Sequence, residues 1–208
     1  MSDYLPLFPL KLVAFPGEQL NLHIFEPRYR QLIHDLNNGN RLMGICVYLD
    51  KLMPIGTEVE LQEITKIYED GRMDVKTLGT RVFEIISFDN PMMGKLYAAG
   101  NVVYKDNDLK VNKSIYEQFL FFLREFFRLM EYEVELKPLK INSFTFSHKI
   151  GLSIEEEYEL VQLEKESERL VFLIHHFQRV LPIMRDLESA KKKIRMNGHF
   201  KNLDPLDF

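Results

Sequence analysis

The sequence contains one cysteine, no long apolar run and no excess of basic residues. Its single thiol, Cys46, excludes an intrachain disulfide and fits a reducing compartment. The longest apolar run falls well short of the ~18 residues that a membrane-spanning helix needs. The N-terminal segment MSDYLPLFPL lacks the basic region and the small-residue cleavage site of a signal peptide. Together these absences predict a soluble, cytoplasmic protein with no membrane partner.

The charge balance is mildly acidic, with 27 basic and 31 acidic side chains in 208 residues. The sequence pI is near 5.9. Domains that bind nucleic acid are usually basic, because they must neutralise phosphates. Both halves of the chain are mildly acidic, so the average hides no basic domain. We therefore expect no nucleic acid as the main partner.

The common signatures of catalysis are missing as well. The sequence has no G-x-x-x-x-G-K-[ST] phosphate loop, no G-x-G-x-x-G dinucleotide motif and no G-x-S-x-G nucleophile motif. Cys46 lies in the apolar segment LMGICVY, where a cysteine is usually a small buried hydrophobe. The adjacent His175 and His176 would point about 100° apart on a helix, so they do not form a chelating pair. These observations predict a non-enzymatic protein with no cofactor and no metal.

The first hundred residues predict a β-rich domain. Short apolar segments recur between turn signals, as in a small barrel or sandwich: Leu5–Leu10, Leu20–Ile24, Leu42–Tyr48, Thr57–Tyr68, Met73–Leu78, Val82–Ile86 and Leu96–Tyr104. Asp70-Gly71 predicts a two-residue hairpin turn, since both residue types tolerate positive φ. A slip in the apolar alternation predicts a β-bulge near Glu63. One helix is expected to interrupt the strands, from Pro27 to about Leu36.

The remaining residues predict helices. An aromatic-rich helix is expected at about 114–131, and Ser153 with Glu156 has the pattern of a capping box that starts a short helix. A longer helix is expected around 164–181, and Pro182 is expected to kink or restart it. The polar stretch KDNDLKVNK marks the domain boundary. The expected organisation is a β-barrel at 1–104, a linker at 105–113, a helical bundle at 114–196 and a tail at 197–208.

The most informative segment lies near the N-terminus, where proline and aromatic residues recur. It reads LPLFPL at residues 5–10, FPG at 15–17 and LHIFEPRYR at 22–30. Phe15-Pro16-Gly17 predicts a turn, because proline fixes φ and glycine permits a positive φ. Arg28 and Arg30 alternate around Tyr29, and structural ion pairing of these arginines is favoured over binding of an acidic group.

These motifs closely resemble the opening of the Lon protease N-terminal substrate-binding domain. Later blocks of that family are similar to IGT at 55–57, DGR at 70–72 and GTRVF at 79–83, and its helical half resembles KIGLS at 149–153 and ERL at 168–170. The likeness covers residues 5–181. It implies an α+β fold, with a PUA-like six-stranded β-barrel followed by an α-helical bundle. Full-length Lon also carries an ATPase and a Ser–Lys protease domain, and neither is found in this sequence, so we expect a stand-alone member of the family.

The resemblance implies a non-catalytic module that binds unfolded or tagged polypeptides. Exposed apolar side chains would serve this role, and the expected peptide-binding residues are Phe15, Pro16, Phe25, Tyr29, Met92 and Met93. The two methionines follow Asn90-Pro91 in an expected loop, and methionine adapts to varied partners. Core filling explains both methionines equally well.

Other functions stay open at this stage. One alternative is an adaptor or regulator that docks on a separate AAA+ protease or assembly, with Lys191-Lys192-Lys193 and the tail as docking elements. A PUA-like RNA-binding protein is disfavoured by the acidic balance and by the lack of a basic, aromatic-lined face. A homodimer through the aromatic-rich helix is a further option.

Overall fold

The structure is a computed structural model that describes residues 3–133 and 141–199, with side chains described as far as residue 194. Within these residues the chain forms six β-strands and four α-helices. The strands are β1 (Asp3–Leu10), β2 (Gln19–Ile24), β3 (Leu42–Tyr48), β4 (Leu52–Ile67), β5 (Met73–Ile85) and β6 (Ala98–Tyr104). The α-helices are α1 (Pro27–Asn37), α2 (Lys113–Leu129), α3 (Ile154–Gln162) and α4 (Glu166–His199). This is the α+β fold that the sequence predicted.

The six strands form one mixed sheet in the order β2-β5-β4-β3-β1-β6. Strand β1 pairs in parallel with β3 and antiparallel with β6. Strand β6 then pairs with the second half of β5, which closes a ring of five strands. Among the described strands, β2 pairs with β5 alone and stands at the end of the order. The expected six strands and the α+β fold are confirmed, with five strands closing the barrel and β2 paired beside them.

The β4–β5 hairpin lies where Asp70-Gly71 predicted it, but its loop is longer than expected. The Tyr68 amide donates to the Arg72 carbonyl at 2.9 Å, and the Gly71 amide donates to the Tyr68 carbonyl at 2.9 Å. Gly71 has a φ of 82°, in the left-handed region that glycine adopts without a steric penalty. The turn is thus a three-residue loop with glycine at the left-handed position, and the two-residue turn was wrong.

Strand β4 carries the predicted bulge. Its pairing with β5 shifts register between Leu61 and Glu63, where the apolar alternation of the sequence slips. The pairing shifts again at two other places, between residues 57 and 59 and between residues 64 and 66. Beyond the bulge Ile64 still packs against the barrel core, whereas Ile67 at the end of the strand is 68% exposed.

Strand β5 is one strand where the sequence suggested two, Met73–Leu78 and Val82–Ile86. The polar residues Thr80 and Arg81 in the middle of β5 form hydrogen bonds with Glu58 of β4. The Glu58 carboxylate is buried, with 2% of the residue exposed. Thr80 donates to Glu58 at 2.7 Å, Arg81 donates to it at 3.1 Å, and the Tyr104 hydroxyl also donates to it. Burial alone would raise the pKa of Glu58, but these hydrogen bonds lower it below its usual value. One carboxylate therefore joins β4, β5 and β6 where the barrel closes.

Helix α1 lays its apolar face on the core of the barrel. Four side chains of this face are buried: Tyr29, Leu32, Ile33 and Leu36. They join one hydrophobic cluster with side chains from β1 to β5, including Ile45 of β3 and Leu61 of β4. Pro27 occupies the first turn of α1, where its missing N–H would have no helical partner.

The chain divides into two compact units. The first, which we call the barrel unit, comprises Met1–Leu109 and Asn142–Glu166. The second, the helical unit, comprises Lys110–Ile141 and Ser167–Phe208. Packing thus divides the chain differently from the boundaries expected from the sequence, which placed all of 114–196 in a single bundle. Residues 142–166 belong with the barrel instead.

Side-chain contacts explain why residues 142–166 belong with the barrel. The Ile55 amide of β4 donates to the Tyr158 hydroxyl of α3 at 3.1 Å. The ring of Phe144 stacks on that of Phe15 with 5.3 Å between centroids. The predicted capping box starts α3, since the side chains of Ser153 and Glu156 each accept a backbone N–H of the other residue. This segment is a layer of the barrel unit.

In the helical unit, α2 and α4 are joined by aromatic packing and ion pairs. The Phe177 ring of α4 lies 5.6 Å from that of Phe126 and 6.2 Å from that of Phe119. Hydrogen bonds from Arg128 and Arg185 lower the pKa of Glu125 to about 2. Helix α4 runs through Pro182 to His199, so the expected tail begins later than predicted. Residues 200–208 of the expected tail lie outside the described residues, as does the segment around Pro138. No helix in the described part of the chain is long and apolar enough to cross a membrane.

Candidate functional site

A groove of about 370 Å³ opens on the surface of the barrel unit, and we call it the barrel groove. Five separate parts of the chain supply its walls: the end of β1, the first turn of α1, the end of β3, the start of β4 and the connection from β5 to β6. Its lining residues are Pro9, Leu10, Lys11, Arg28, Tyr29, Tyr48, Leu52, Phe88 and Asn90. Most of these side chains are apolar or aromatic, as in protein sites for organic ligands.

The first turn of α1 forms one wall of the barrel groove. The Tyr29 ring packs on the Phe8 ring with 3.9 Å between centroids, and burial raises the pKa of the Tyr29 hydroxyl. The Arg28 guanidinium lies over the same tyrosine ring, 4.5 Å from its centroid, and Glu26 pairs with Arg28 at 2.8 Å. Arg28 thus forms the structural ion pair that the sequence predicted, and its guanidinium also lines the groove.

The β3–β4 hairpin supplies an exposed aromatic side chain. The pairing of the two strands shifts register between Cys46 and Tyr48, which then pairs with Leu52. After this shift Tyr48 is 47% exposed, whereas the preceding residue, Val47, is buried. The end of β3 therefore presents a half-exposed ring to the groove.

The connection between β5 and β6, residues 86–97, is fastened to α1. Asp35 accepts hydrogen bonds from the Lys95 ammonium at 2.7 Å and from the Tyr97 hydroxyl at 2.8 Å. The Leu96 amide donates to the Gln31 side chain at 2.8 Å. The hydrogen bond from Lys95 holds the pKa of Asp35 below its usual value, so the carboxylate is charged near neutral pH. These bonds fix the connection that carries Phe88 and Asn90.

The rim of the barrel groove is cationic. Lys11 and Arg28 line it, and no carboxylate stands among its lining residues. Lys11 is an exposed residue and makes no ion pair within the described residues. The groove thus combines an apolar interior with two cations at its rim, of which Arg28 is paired with Glu26. Such an arrangement can hold an apolar or aromatic side chain and a neighbouring carbonyl or carboxylate oxygen.

The six residues expected to bind peptide do not form one surface. Phe15 is fully buried against Phe144 and His148, so its side chain is a core group rather than a contact. Pro16 is half-buried in the turn at 15–17, and Met92 packs against the barrel core. Phe25 is 61% exposed and Met93 is 97% exposed. The remaining residue, Tyr29, is nearly buried but lines the barrel groove.

Sequence reasoning missed most of the groove residues. It did not single out Tyr48, Leu52 or Phe88. Tyr48 ends an apolar segment in which core packing is the ordinary explanation, and Leu52 and Phe88 lie between the predicted strands. One signal was available at Phe88-Asp89-Asn90-Pro91, where an aromatic residue stands directly beside turn-forming residues. Aromatic residues in loops are more often available to ligands than those within strands.

Metal-ligating clusters and the single thiol can be assessed directly in the described residues. No cluster of three or more metal-ligating side chains occurs in the described part of the chain. Cys46 is fully buried, and burial raises the pKa of its thiol to about 12. A thiol with so high a pKa stays protonated and is a poor nucleophile. Cys46 therefore serves packing, as the sequence suggested.

The fold and the groove define a class of protein: an α+β domain with a closed β-barrel and a groove lined mainly by apolar and aromatic side chains. The family model for the ATP-dependent protease La (Lon) substrate-binding domain matches residues 4–195. The chain therefore belongs to this family of substrate-binding domains.

Solved structures share the fold. The Lon N-terminal domain protein from Xanthomonas campestris is similar, with a TM-score of 0.66 and 24% identity over 83% of this chain and 98% of that one. The N-terminal domain of the Mycobacterium avium complex Lon protease matches with a TM-score of 0.61 and 14% identity over 85% of this chain and 98% of that one. At these identities the likeness shows the fold alone.

Proposed function

We propose that this protein binds unfolded polypeptides without acting on them chemically, and that the barrel groove holds an apolar side chain of the bound segment. The observation that carries the proposal is the lining of the groove, where Tyr29, Tyr48 and Phe88 stand beside the cations of Lys11 and Arg28. Membership in the family of Lon substrate-binding domains supports the same function.

The size and chemistry of the groove suit a polypeptide segment. A volume of about 370 Å³ accommodates one or two large side chains. Unfolded chains expose apolar side chains that folded proteins bury. Aromatic rings supply large contact areas at low entropic cost. Lys11 and Arg28 can donate hydrogen bonds to main-chain carbonyl or carboxylate oxygens beside the bound side chain.

The test measures binding of fluorescein-labelled, reduced and carboxymethylated α-lactalbumin by fluorescence anisotropy. We expect saturable binding in the low micromolar range. Phe88→Ala should weaken it by about tenfold, because it removes an aromatic anchor that is 36% exposed in the free protein. Val103→Ala is the matched control, since Val103 is 40% exposed on β6 and does not line the groove.

Two outcomes would contradict the proposal. Absence of binding by the wild-type protein would remove the polypeptide as ligand. An equal loss of affinity in Phe88→Ala and Val103→Ala would remove the groove as the site. A separate outcome would favour RNA as the ligand: single-stranded RNA would displace the labelled polypeptide, and its affinity would fall steeply with salt concentration.

A second candidate function is that of an adaptor that docks on a separate AAA+ protease. The observation that favours it is the exposed apolar stripe on the second half of α4. Ile183 is 60% exposed, Leu187 is 58% exposed and Ile194 is 71% exposed, at helical spacings of four and seven residues. The exposed lysines at 191–193 lie beside this stripe.

The adaptor function predicts an effect on a purified Lon-type protease. Adding the protein should change the rate of ATP-dependent degradation of fluorescent casein, and Leu187→Ser should reduce that change. Ser189→Ala is the control, because Ser189 lies on the same helix away from the stripe. Equal effects of the two variants, or no change in rate with the wild-type protein, would reject the adaptor function.

A further inference from the structure

Strand β2 has an unoccupied edge. It pairs with β5 from Gln19↔Leu78 to Ile24↔Met73 and stands at the end of the strand order. No backbone hydrogen bond joins residues 19–24 to any other part of the described chain. The side of β2 that faces away from β5 is therefore free of protein partners within the described residues.

The orientation of the free groups follows from the ladder. The Gly79 amide donates to the Glu18 carbonyl at 2.8 Å, and the Thr77 hydroxyl donates to the Leu20 carbonyl at 3.4 Å. These carbonyls point toward β5. Because successive residues of an antiparallel strand alternate in direction, the N–H and C=O of Asn21 point away from β5, as do those of Gln19 and His23.

These outward groups face water. An unpaired backbone N–H or C=O costs free energy when it is buried, so such groups are rare in protein interiors. Gln19, Asn21 and His23 are all exposed residues, whereas Leu20 and Ile24 are buried on the core side. The edge thus offers a row of donors and acceptors at the spacing of a strand.

Strand β2 also lacks the features that keep exposed edges from pairing. Natural edge strands are commonly blocked by lysine, by proline or by a bulge. The segment QLNLHI has no lysine and no proline, and its pairing with β5 runs without a register shift. An edge that is regular and carries no lysine is open to the addition of another strand.

We propose that β2 binds an extended segment of a polypeptide as an added strand, and this proposal rests on the proposed function of polypeptide binding. Main-chain groups at strand spacing are complementary to another main chain and to few other ligands. Recognition through the backbone also tolerates many sequences, as a receptor for varied unfolded chains requires.

The position of β2 supports this occupant. The strand ends at Ile24, the exposed Phe25 follows, and Arg28 of the barrel groove comes three residues later. The Phe25 ring stacks beside His23 with 6.3 Å between centroids. A segment bound along β2 therefore meets an exposed aromatic ring at the end of the strand that leads to the groove.

The first test compares two substitutions of Asn21. Asn21→Pro removes an N–H that has no partner in the free protein, and proline is tolerated on the solvent side of an edge strand. Asn21→Ala keeps that N–H and removes only the side chain. With labelled, carboxymethylated α-lactalbumin as probe, we expect Asn21→Pro to weaken binding by about tenfold or more and Asn21→Ala to leave it within about twofold.

The second test uses the wild-type protein and does not depend on how the proline variant folds. Amide hydrogen exchange of Asn21 and His23 should be fast in the free protein and at least about tenfold slower with saturating carboxymethylated α-lactalbumin. The Leu22 amide, which faces β5, is the internal control and should exchange slowly in both states.

The outcomes separate this proposal from the proposed function. If the wild-type protein binds the probe but Asn21→Pro binds like Asn21→Ala and the Asn21 amide stays fast, strand addition is wrong and groove binding stands. If the wild-type protein does not bind the probe, the proposed function itself fails. Protection of Asn21 that rises with protein concentration alone would assign the edge to a second copy and overturn the polypeptide as occupant.

Discussion

His148 lies between two carboxylates of the barrel unit. Its Nε2 is 2.9 Å from Glu18 and its Nδ1 is 2.7 Å from Glu157, and its ring also packs on Phe15 at 4.9 Å. Burial alone would lower the pKa of His148, but the hydrogen bonds to Glu157 and Glu18 outweigh it and raise the pKa to about 9. The imidazolium therefore fastens residues 142–157 to the turn that precedes β2.

This contact predicts a pH-dependent stability. The pKa of His148 rises from 6.5 to about 9 on folding, so its contribution is complete below pH 6.5 and is lost as the pH rises through about 9. Because the side chain of His148 is 28% exposed, solvent screens its ion pairs. We therefore expect His148 to contribute about 1–2 kcal/mol to the free energy of unfolding. The measurement compares urea unfolding of the wild-type protein and His148→Gln at about pH 6 and above pH 9.

The difference between these two proteins isolates His148 from other groups that titrate at high pH. The difference in free energy of unfolding between the wild-type protein and His148→Gln should be largest at the lower pH and should shrink at the higher pH. A difference that stays constant across this range would show that the histidine acts by packing alone.

Gly79 illustrates what a family motif encodes at the residue scale. An added Cβ at Gly79 would lie 2.1 Å from the Phe15 carbonyl oxygen, closer than any real Cβ contact. The Gly17 amide donates to the Gly79 carbonyl at 2.9 Å, so the FPG turn is bound to the GTRVF segment. These contacts give the motif residues Gly17 and Gly79 a structural role in joining the two segments.

At the scale of elements, the connection at 86–97 depends on one carboxylate of α1. Asp35 is the shared acceptor of Lys95 and Tyr97, and Tyr97 is only 3% exposed. Without that acceptor the Tyr97 hydroxyl would be a buried polar group that has lost its hydrogen bond. The connection that carries Phe88 is therefore held at its C-terminal end by a contact outside the lining of the barrel groove.

We predict that Asp35→Ala destabilises the protein by about 1–3 kcal/mol, because it leaves the buried Tyr97 hydroxyl unpaired. It should also weaken binding of the unfolded probe, because the connection carries Phe88. Urea unfolding and fluorescence anisotropy measure the two effects on the same variant.

The matched control for Asp35→Ala is Glu63→Ala. Glu63 forms an exposed ion pair with Lys76 at 3.4 Å, and such pairs contribute little. We expect a change within about 0.5 kcal/mol for the control. An effect of Asp35→Ala no larger than that of the control would show that the connection is held by other contacts.

The elements themselves were largely predictable. Strand β3 has the predicted bounds, Leu42–Tyr48, because a single apolar segment is flanked by turn-forming residues on both sides. Strand β5 was split in two because Thr80 and Arg81 look like an interruption in the sequence. Thr80 and Arg81 form hydrogen bonds with Glu58, which is more than twenty residues away in the sequence. Hydrophobic periodicity could not predict these contacts, because it depends only on neighbouring residues.

At the scale of the whole molecule, the two packing units could not be read from a single linear boundary. Residues 142–166 follow a helix of the other unit but pack in the barrel unit through Tyr158 and Phe144. The barrel groove was unpredictable for the same reason. Its walls come from five segments between Pro9 and Asn90, so its existence depends on closure of the barrel and not on any local pattern.

The most direct test of polypeptide binding in the barrel groove is site-specific crosslinking. The chain suits this test because Cys46, its single thiol, is fully buried and has a pKa raised to about 12. A maleimide-benzophenone label therefore reacts at an introduced surface cysteine. Tyr48→Cys places the label at the groove, and Val103→Cys places it at an exposed position outside the groove.

The test sample is carboxymethylated α-lactalbumin, illuminated with each labelled variant. We predict that Tyr48→Cys forms adducts with this unfolded chain, that excess unlabelled unfolded chain suppresses them, and that Val103→Cys forms few. Native α-lactalbumin should form none with either variant. Equal adduct yields from the two positions, or no adducts from Tyr48→Cys under conditions where the polypeptide is bound, would contradict binding in the groove.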